Sequence, residues 1–193
     1  MKTYPAQRRR VGGFTLVELL VVISIIVVLA AMTLGAISMV TNRQKMLQTQ
    51  ANASGLLQAI EQFNSTYHRL PDLGTDEFRM EGQTGSECLV ILLAREELNS
   101  TTQNKKQIRF LSVGETTVKN KGGLLYSNGG KDATPVGLYD AWGNAFYVKF
   151  DTDNDQLIDD PLKSGNVVRN KPVIIYSSGR DGKLGTKDDI KTW

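Results

Sequence analysis

Gly12-Gly13-Phe14-Thr15-Leu16-Val17-Glu18-Leu19-Leu20 joins a short basic head, with Arg8, Arg9 and Arg10, to a long apolar run. One carboxylate, Glu18, stands near the start of that run. A charged side chain inside a membrane segment costs about 2.5–3.5 kcal/mol even on a lenient insertion scale, so a chain that keeps one there has a use for it. From Leu19 to Val40 there are 22 positions without a charge, against about 20 needed to span a bilayer core. The head holds Lys2 and three arginines but no acid. The positive-inside rule therefore predicts a cytoplasmic N-terminus, with the remaining chain on the far side. An ordinary signal peptide carries a shorter apolar region followed by a small-residue cleavage site. Here the small pair, Gly12-Gly13, precedes the apolar run. Cleavage there removes the head and leaves the anchor on the mature chain. A plain signal anchor is the bland alternative, but it needs neither Gly13-Phe14 nor Glu18.

The stretch from Gly13 through Glu18 resembles the processing site of type IV pilins and of type II secretion pseudopilins. The resemblance implies a dedicated prepilin peptidase that cuts after Gly13 and methylates the new N-terminus at Phe14. It implies three parts: a leader over residues 1–13, a transmembrane and filament-core helix over 14–40, and an extracytoplasmic head over 41–193. The subunit would cross the bacterial inner membrane once, with its head in the periplasm or on an extracellular filament. Its partners would be further copies of itself in a helical homopolymer, other pilin-like subunits, the inner-membrane assembly platform and the peptidase. In the apolar filament core Glu18 would meet the α-amine of Phe14 on a neighbouring subunit. Charge attraction is strong in a low dielectric, so that pair would set the axial register.

Charge and cysteine content narrow the remaining classes. The whole chain has 23 Lys+Arg against 20 Asp+Glu. Residues 1–13 hold four of the cations and no acid, which leaves 19 against 20 beyond them. The basic balance belongs to the head of the sequence and gives no signal for nucleic acid. Lys105, Lys106 and Arg109 form a small basic group that reads as solvated, so no nucleic-acid partner is expected. The single cysteine, Cys88, rules out an intramolecular disulfide. It lies in Cys88-Leu89-Val90-Ile91-Leu92-Leu93 and reads as a small buried hydrophobe. His68 is the one histidine, and with no hydrolase, P-loop or dinucleotide fingerprint the chain is not expected to be an enzyme.

Beyond the apolar run, Met46, Ala53, Leu56, Ile60, Phe63 and Tyr67 fall on one face of an amphipathic helix. No proline occurs between Phe14 and His68. One helix is predicted from about Phe14 to Tyr67, on the order of 80 Å long, with Gly35 and Gly55 as weak points. Leu70-Pro71-Asp72-Leu73-Gly74 ends it. Ser86–Leu98 is predicted as a second helix with Ser86 at its N-cap, and Asn99–Lys106 as a loop. Ile108–Val113, Leu124–Tyr126, Ala145–Phe150 and Pro172–Tyr176 read as strands. One long helix followed by a small head with antiparallel strands is an α+β class.

Two acidic loops are candidate sites for a hard cation such as calcium, which takes about six to eight oxygen ligands. In the first, Asp151, Asp153, Asp155 and Asp159 imitate the start of an EF-hand loop. Gln156 stands where that loop wants glycine, and Leu162 where it wants a bidentate Glu. The second runs from Ser177 to Ile190. Glycines at 179, 182 and 185 let the backbone fold tightly and bring Asp181 towards Asp188 and Asp189. Together with Asp140-Ala141-Trp142-Gly143-Asn144, this second loop resembles the C-terminal half of the major pseudopilin (the G type) of type II secretion. The resemblance implies a calcium site with Asp181, Asp188 and Asp189 as side-chain ligands and Ser178 as a backbone ligand. It also implies structural roles for Trp142, Gly143 and Asn144, with Trp142 packed under the sheet. The usual prolines of that family are replaced here by Ala141 and Ala145. The function implied is a structural subunit of a type II secretion pseudopilus in protein export. The alternative is a type IV pilin or minor pilin for adhesion, motility or DNA uptake.

Overall fold

The structure is a computed structural model that describes residues 13–95, 103–127 and 133–193, with the backbone alone at 33–38. The leader residues before Gly13 and the Gly129-Gly130 pair lie outside the described residues. Tertiary contacts divide the chain into a unit ending at Asn42 and a unit from Arg43 to Trp193. The class is α+β, as the sequence implies.

Helix α1 runs from Leu16 to Tyr67 over 52 residues. It stops where His68 turns left-handed at φ 54°, with the His68 N–H still donating to the Asn64 carbonyl at 2.7 Å. Its last turns bury Ala53, Leu56, Ala59, Ile60 and Phe63. The predicted stripe holds from Ala53 onward but not at Met46, which is 45% exposed. One turn later the buried position is polar. Thr49 is fully buried, and its hydroxyl accepts from the Ala141 N–H at 3.1 Å.

Helix α2 spans Gly82–Leu92, not Ser86–Leu98. Ser86 lies inside it, and its hydroxyl donates to the Pro135 carbonyl at 2.6 Å. Gly85 is required there, because a Cβ would come within 2.6 Å of the Arg79 carbonyl oxygen. The helix closes on a Schellman pattern. The Arg95 N–H bonds the Val90 carbonyl at 2.9 Å and the Ala94 N–H bonds that of Ile91 at 3.3 Å, with Ala94 left-handed at φ 55°.

The strands of the described residues are β1 (Glu77–Arg79), β2 (Glu115–Thr116), β3 (Gly123–Tyr126), β4 (Pro135–Tyr139), β5 (Tyr147–Phe150), β6 (Leu157–Asp159), β7 (Val167–Arg169), β8 (Val173–Ser177) and β9 (Ile190–Lys191). They form a sheet ordered β1-β5-β8-β9, a second ordered β2-β3-β4, and the β6-β7 hairpin. The first sheet is antiparallel throughout, with Tyr147 paired to Tyr176 and Phe150 to Val173. In the second, β2 runs parallel to β3. The Leu138 N–H joins the two sheets through the Met80 carbonyl at 2.8 Å.

Ile108–Val113 is not a strand. The N–H groups of Phe110 and Leu111 both donate to the Leu92 carbonyl, at 2.8 and 3.1 Å, so this segment covers the end of α2 instead of joining a ladder. Asn104, fully buried, holds it there. Its amide donates to the carbonyls of Ile91 and Ile108 at 2.9 and 2.8 Å, and its oxygen accepts from the Tyr67 hydroxyl at 2.8 Å.

The main core joins α1, α2 and both sheets through Leu56, Phe63, Met80, Leu89, Phe146 and Val173, among others. Cys88 belongs to it. Burial pushes its thiol up to about 12, which fits a packing residue and not a nucleophile. Under the β6-β7 hairpin lies a smaller cluster of Ile158, Val168 and Ile174, against which Trp193 packs.

Candidate functional sites: an uncovered apolar terminus and two acidic loops

Every described side chain from Gly13 to Met32 is exposed, with Phe14 and Leu16 each at 82%. A helix that is apolar on all sides has no face suited to water. Between Leu16 and Met32 the hydroxyl of Ser24 is satisfied locally by donating to the Val21 carbonyl at 2.7 Å. Among the described residues no helix is long and apolar enough to cross a membrane. Described side chains of the apolar run continue unbroken to Met32 and resume at Met39.

The helix entrance carries a device that the sequence reading missed. The Thr15 N–H and hydroxyl both donate to Glu18 Oε2, at 2.9 and 2.8 Å. The Glu18 N–H donates back to the Thr15 hydroxyl at 3.3 Å. This is a capping box, T-x-x-E, with Thr15 as the N-cap. The spacing was present in Thr15-Leu16-Val17-Glu18 and would have revealed it. Glu18 is therefore not stranded within its own chain. Gly13 stands just ahead with open space around it.

In the head, the turn after β4 is organised by Asp140, which is fully buried. Its Oδ1 accepts from the Trp142 and Asn144 N–H groups, each at 2.8 Å. Its Oδ2 accepts from the Ser177 hydroxyl at 2.6 Å and the Asn144 side-chain amide at 3.1 Å. The same amide donates to the Gly179 carbonyl at 2.7 Å. The Asp140–Asn144 turn and the start of the C-terminal loop are thus one hydrogen-bonded unit. Trp142 is half-buried and outside both core clusters, so it does not pack under the sheet. Phe146 and Val148 fill that core.

The C-terminal loop folds on its own backbone. Gly179 is left-handed at φ 62°, and a Cβ there would run into the Asp188 carbonyl oxygen. The Asp181 N–H donates to Asp188 Oδ2 at 3.0 Å, and the Thr186 hydroxyl to Asp188 Oδ1 at 2.7 Å. These bonds, that from Thr186 first, hold the Asp188 carboxyl below its ordinary value. Asp189 Oδ2 accepts from the Gly185 and Thr186 N–H groups at 2.7 and 2.9 Å, while its Oδ1 is buried without a partner. Burial, with Asp188 and Asp181 nearby, raises the Asp189 carboxyl. Ser178 is 4% exposed at the loop's start.

In the first loop, Asp151, Asp153 and Asp155 each bring one carboxylate oxygen within 4.8 Å of the others. Among the described residues this is the group of three acidic side chains gathered tightly enough for one cation. Asp159 lies at the end of β6 outside that group. Gln156 adopts φ 64°, so the left-handed turn for which EF-hands use glycine is made here by glutamine. The flanking elements are β5 and β6, not helices. Burial, then interaction with Asp153, pushes the Asp151 carboxyl above its ordinary value. The basic group expected to be solvated is partly engaged: Lys106 Nζ lies 5.7 Å from the Tyr67 ring centroid, and Arg109 Nε donates to the Leu111 carbonyl at 3.3 Å.

Residues 8–40 match the family described as a prokaryotic N-terminal methylation motif. This supports a pilin-like prepilin leader at the N-terminus. No curated protein and no solved structure matches the chain.

Proposed function

We propose that this chain is a structural, non-catalytic subunit of a pilus-like filament, cut after Gly13, methylated at Phe14 and assembled from the inner membrane. The observation that carries this reading is the apolar helix entrance, exposed on every side from Phe14 to Met32 and opened by a capped Glu18. Such a surface needs lipid before assembly and neighbouring copies after it. The residues from Leu19 to Val40 give it the length of a single span. Glu18 uses Oε2 for its own cap, which leaves Oε1 to meet the Phe14 amine of a neighbour. That contact would replace lipid-exposed charge by a pair in low dielectric.

Within the class, we favour a type II secretion pseudopilus. The hydrogen-bonded unit of Asp140–Asn144 with Ser177–Gly179 supports it, because both halves carry the resemblance to the major pseudopilin. On that reading the C-terminal loop takes calcium through Asp181, Asp188, Asp189 and the Ser178 carbonyl, and Asp181 and Asp188 are already hydrogen-bonded neighbours.

Mass spectrometry of the chain from cells with and without prepilin peptidase tests the filament reading. A product starting at N-methylated Phe14, absent without the peptidase, is expected. An uncut chain in both strains overturns it. Deletion then separates the finer readings. Loss of protein export without sheared extracellular filaments fits a pseudopilus, whereas sheared filaments with normal export fit a type IV pilin.

A further inference from the structure

Asp151 is 6% exposed. Its Oδ2 accepts from the Gln156 N–H at 3.0 Å, but its Oδ1 is buried with no hydrogen-bond partner. An ionised oxygen removed from water and left unpaired is costly unless a cation meets it. Asp153 and Asp155 each place a carboxylate oxygen within 4.8 Å of one of Asp151 and of each other. Oxygens bound to one calcium ion at about 2.3–2.6 Å lie within about 5 Å of one another. The cluster opens on a cavity of about 310 Å³ whose lining includes Asp76, Asp151, Asp153, Asp155 and Asp159. The lining's lysine, Lys149, does not neutralise them, because its Nζ lies 3.3 Å from Glu77 Oε2.

The loop is also shaped in advance. Asn154 and Gln156 hold left-handed conformations at φ 59° and 64°. The Leu157 N–H donates to Asp155 Oδ1 at 2.7 Å, which fixes that side chain.

We propose that Asp151, Asp153 and Asp155 form a calcium-binding turn between β5 and β6, separate from the C-terminal loop. Donors that are all oxygen, with three carboxylates on a backbone loop, suit calcium over a softer metal. The ion supplies the partner that Asp151 Oδ1 lacks and cancels the repulsion among the three charges. It ties the end of β5 at Phe150 to the start of β6 at Leu157. The β6-β7 hairpin otherwise rests on a small cluster of Ile158, Val168 and Ile174, so the ion braces it against the main sheet. This site stands whether or not the chain polymerises.

Calorimetric titration of calcium into the full chain, in detergent micelles and freed of metal by chelator, tests it. One ion per chain is expected at this turn, beside any that the C-terminal loop binds. Asp153→Asn with Asp155→Asn keeps the local hydrogen-bond acceptors and removes two charges from exposed positions, so the fold is retained. That pair should weaken binding at least about tenfold. Asp181→Asn with Asp188→Asn should leave this affinity within about twofold. Amide exchange supplies a second readout: calcium should slow exchange at Ile158 and Val168 in the wild type but not in the Asp153/Asp155 variant. Absence of calcium binding overturns the proposal. So does wild-type affinity in the Asp153/Asp155 variant, or loss of the bound ion through Asp181/Asp188 alone.

Discussion

Glu18 accepts from the Thr15 N–H and hydroxyl through one oxygen, so its charge and its hydrogen bonds can be removed separately. Gln at the third helical position still completes a capping box, but it brings no charge to a neighbour's amine. Glu18→Gln should therefore be cut and methylated like the wild type yet fail to enter filaments. Thr15→Ala should weaken the helix entrance by about 1 kcal/mol and still assemble. Sheared or cross-linked filament from the two variants decides between them: normal filaments from Glu18→Gln would falsify the inter-subunit pairing and leave the cap as the role of this carboxylate. Cys88 gives a second residue-level test. It is fully buried, and its thiol is pushed up to about 12, so thiolate is scarce near neutrality. Iodoacetamide at about pH 8 should leave the folded chain unmodified and label it quantitatively in denaturant. Labelling of the folded chain would mean that the α2 core opens.

At the level of elements, what was legible depended on whether the deciding signal was local. The long helix could be read because its stripe of Ala53, Leu56, Ile60 and Phe63 repeats with helical period and no proline interrupts it. Helix α2 was misplaced at both ends. Its start at Gly82 follows Glu81, which makes no side-chain cap hydrogen bond. Its end uses Ala94 where glycine would announce a left-handed close. Ile108–Val113 has strand composition, but the Phe110 and Leu111 N–H groups are claimed by the Leu92 carbonyl, a partner that no local pattern reveals. Strands β1, β6 and β7 are three residues each, too short for alternation to register. The acidic residues of both loops were visible. Which of them converge was not, because the left-handed turn at Gln156 follows from tertiary context. Ala94→Gly should raise stability by about 0.5–1 kcal/mol, since glycine adopts this conformation without the Cβ clash but gives back part of the gain in unfolded-chain entropy. For a head of this size that is about 1–4 °C in Tm. An unchanged or lower Tm would show that Ala94 is not strained. Asp140→Ala should do the reverse. It leaves the Trp142 and Asn144 N–H groups, the Asn144 amide and the Ser177 hydroxyl without their acceptor. A loss of about 3 kcal/mol or more by denaturant melt is expected.

Across the whole molecule, the main core cluster draws its buried members from Ala53 to Ile190, and contacts part the chain at Asn42. None of the described residues before Thr49 is buried. Among the described residues, the apolar terminus adds no member to that core. A protein with one core and a separate apolar helix has two solvents to satisfy, and only the second part requires lipid or copies of itself. A chain that begins at Arg43 should then fold alone, stay monomeric without detergent, and melt within about 2 °C of the full chain in micelles, since the whole main core cluster lies within it. The full chain diluted out of detergent should associate through the exposed run from Phe14 to Met32. Light scattering and thermal melts on the two forms measure both. A shortened chain that melts well below the full one would place part of the apolar helix in the head's core. One that itself associates without detergent would mean that the head carries an interface of its own.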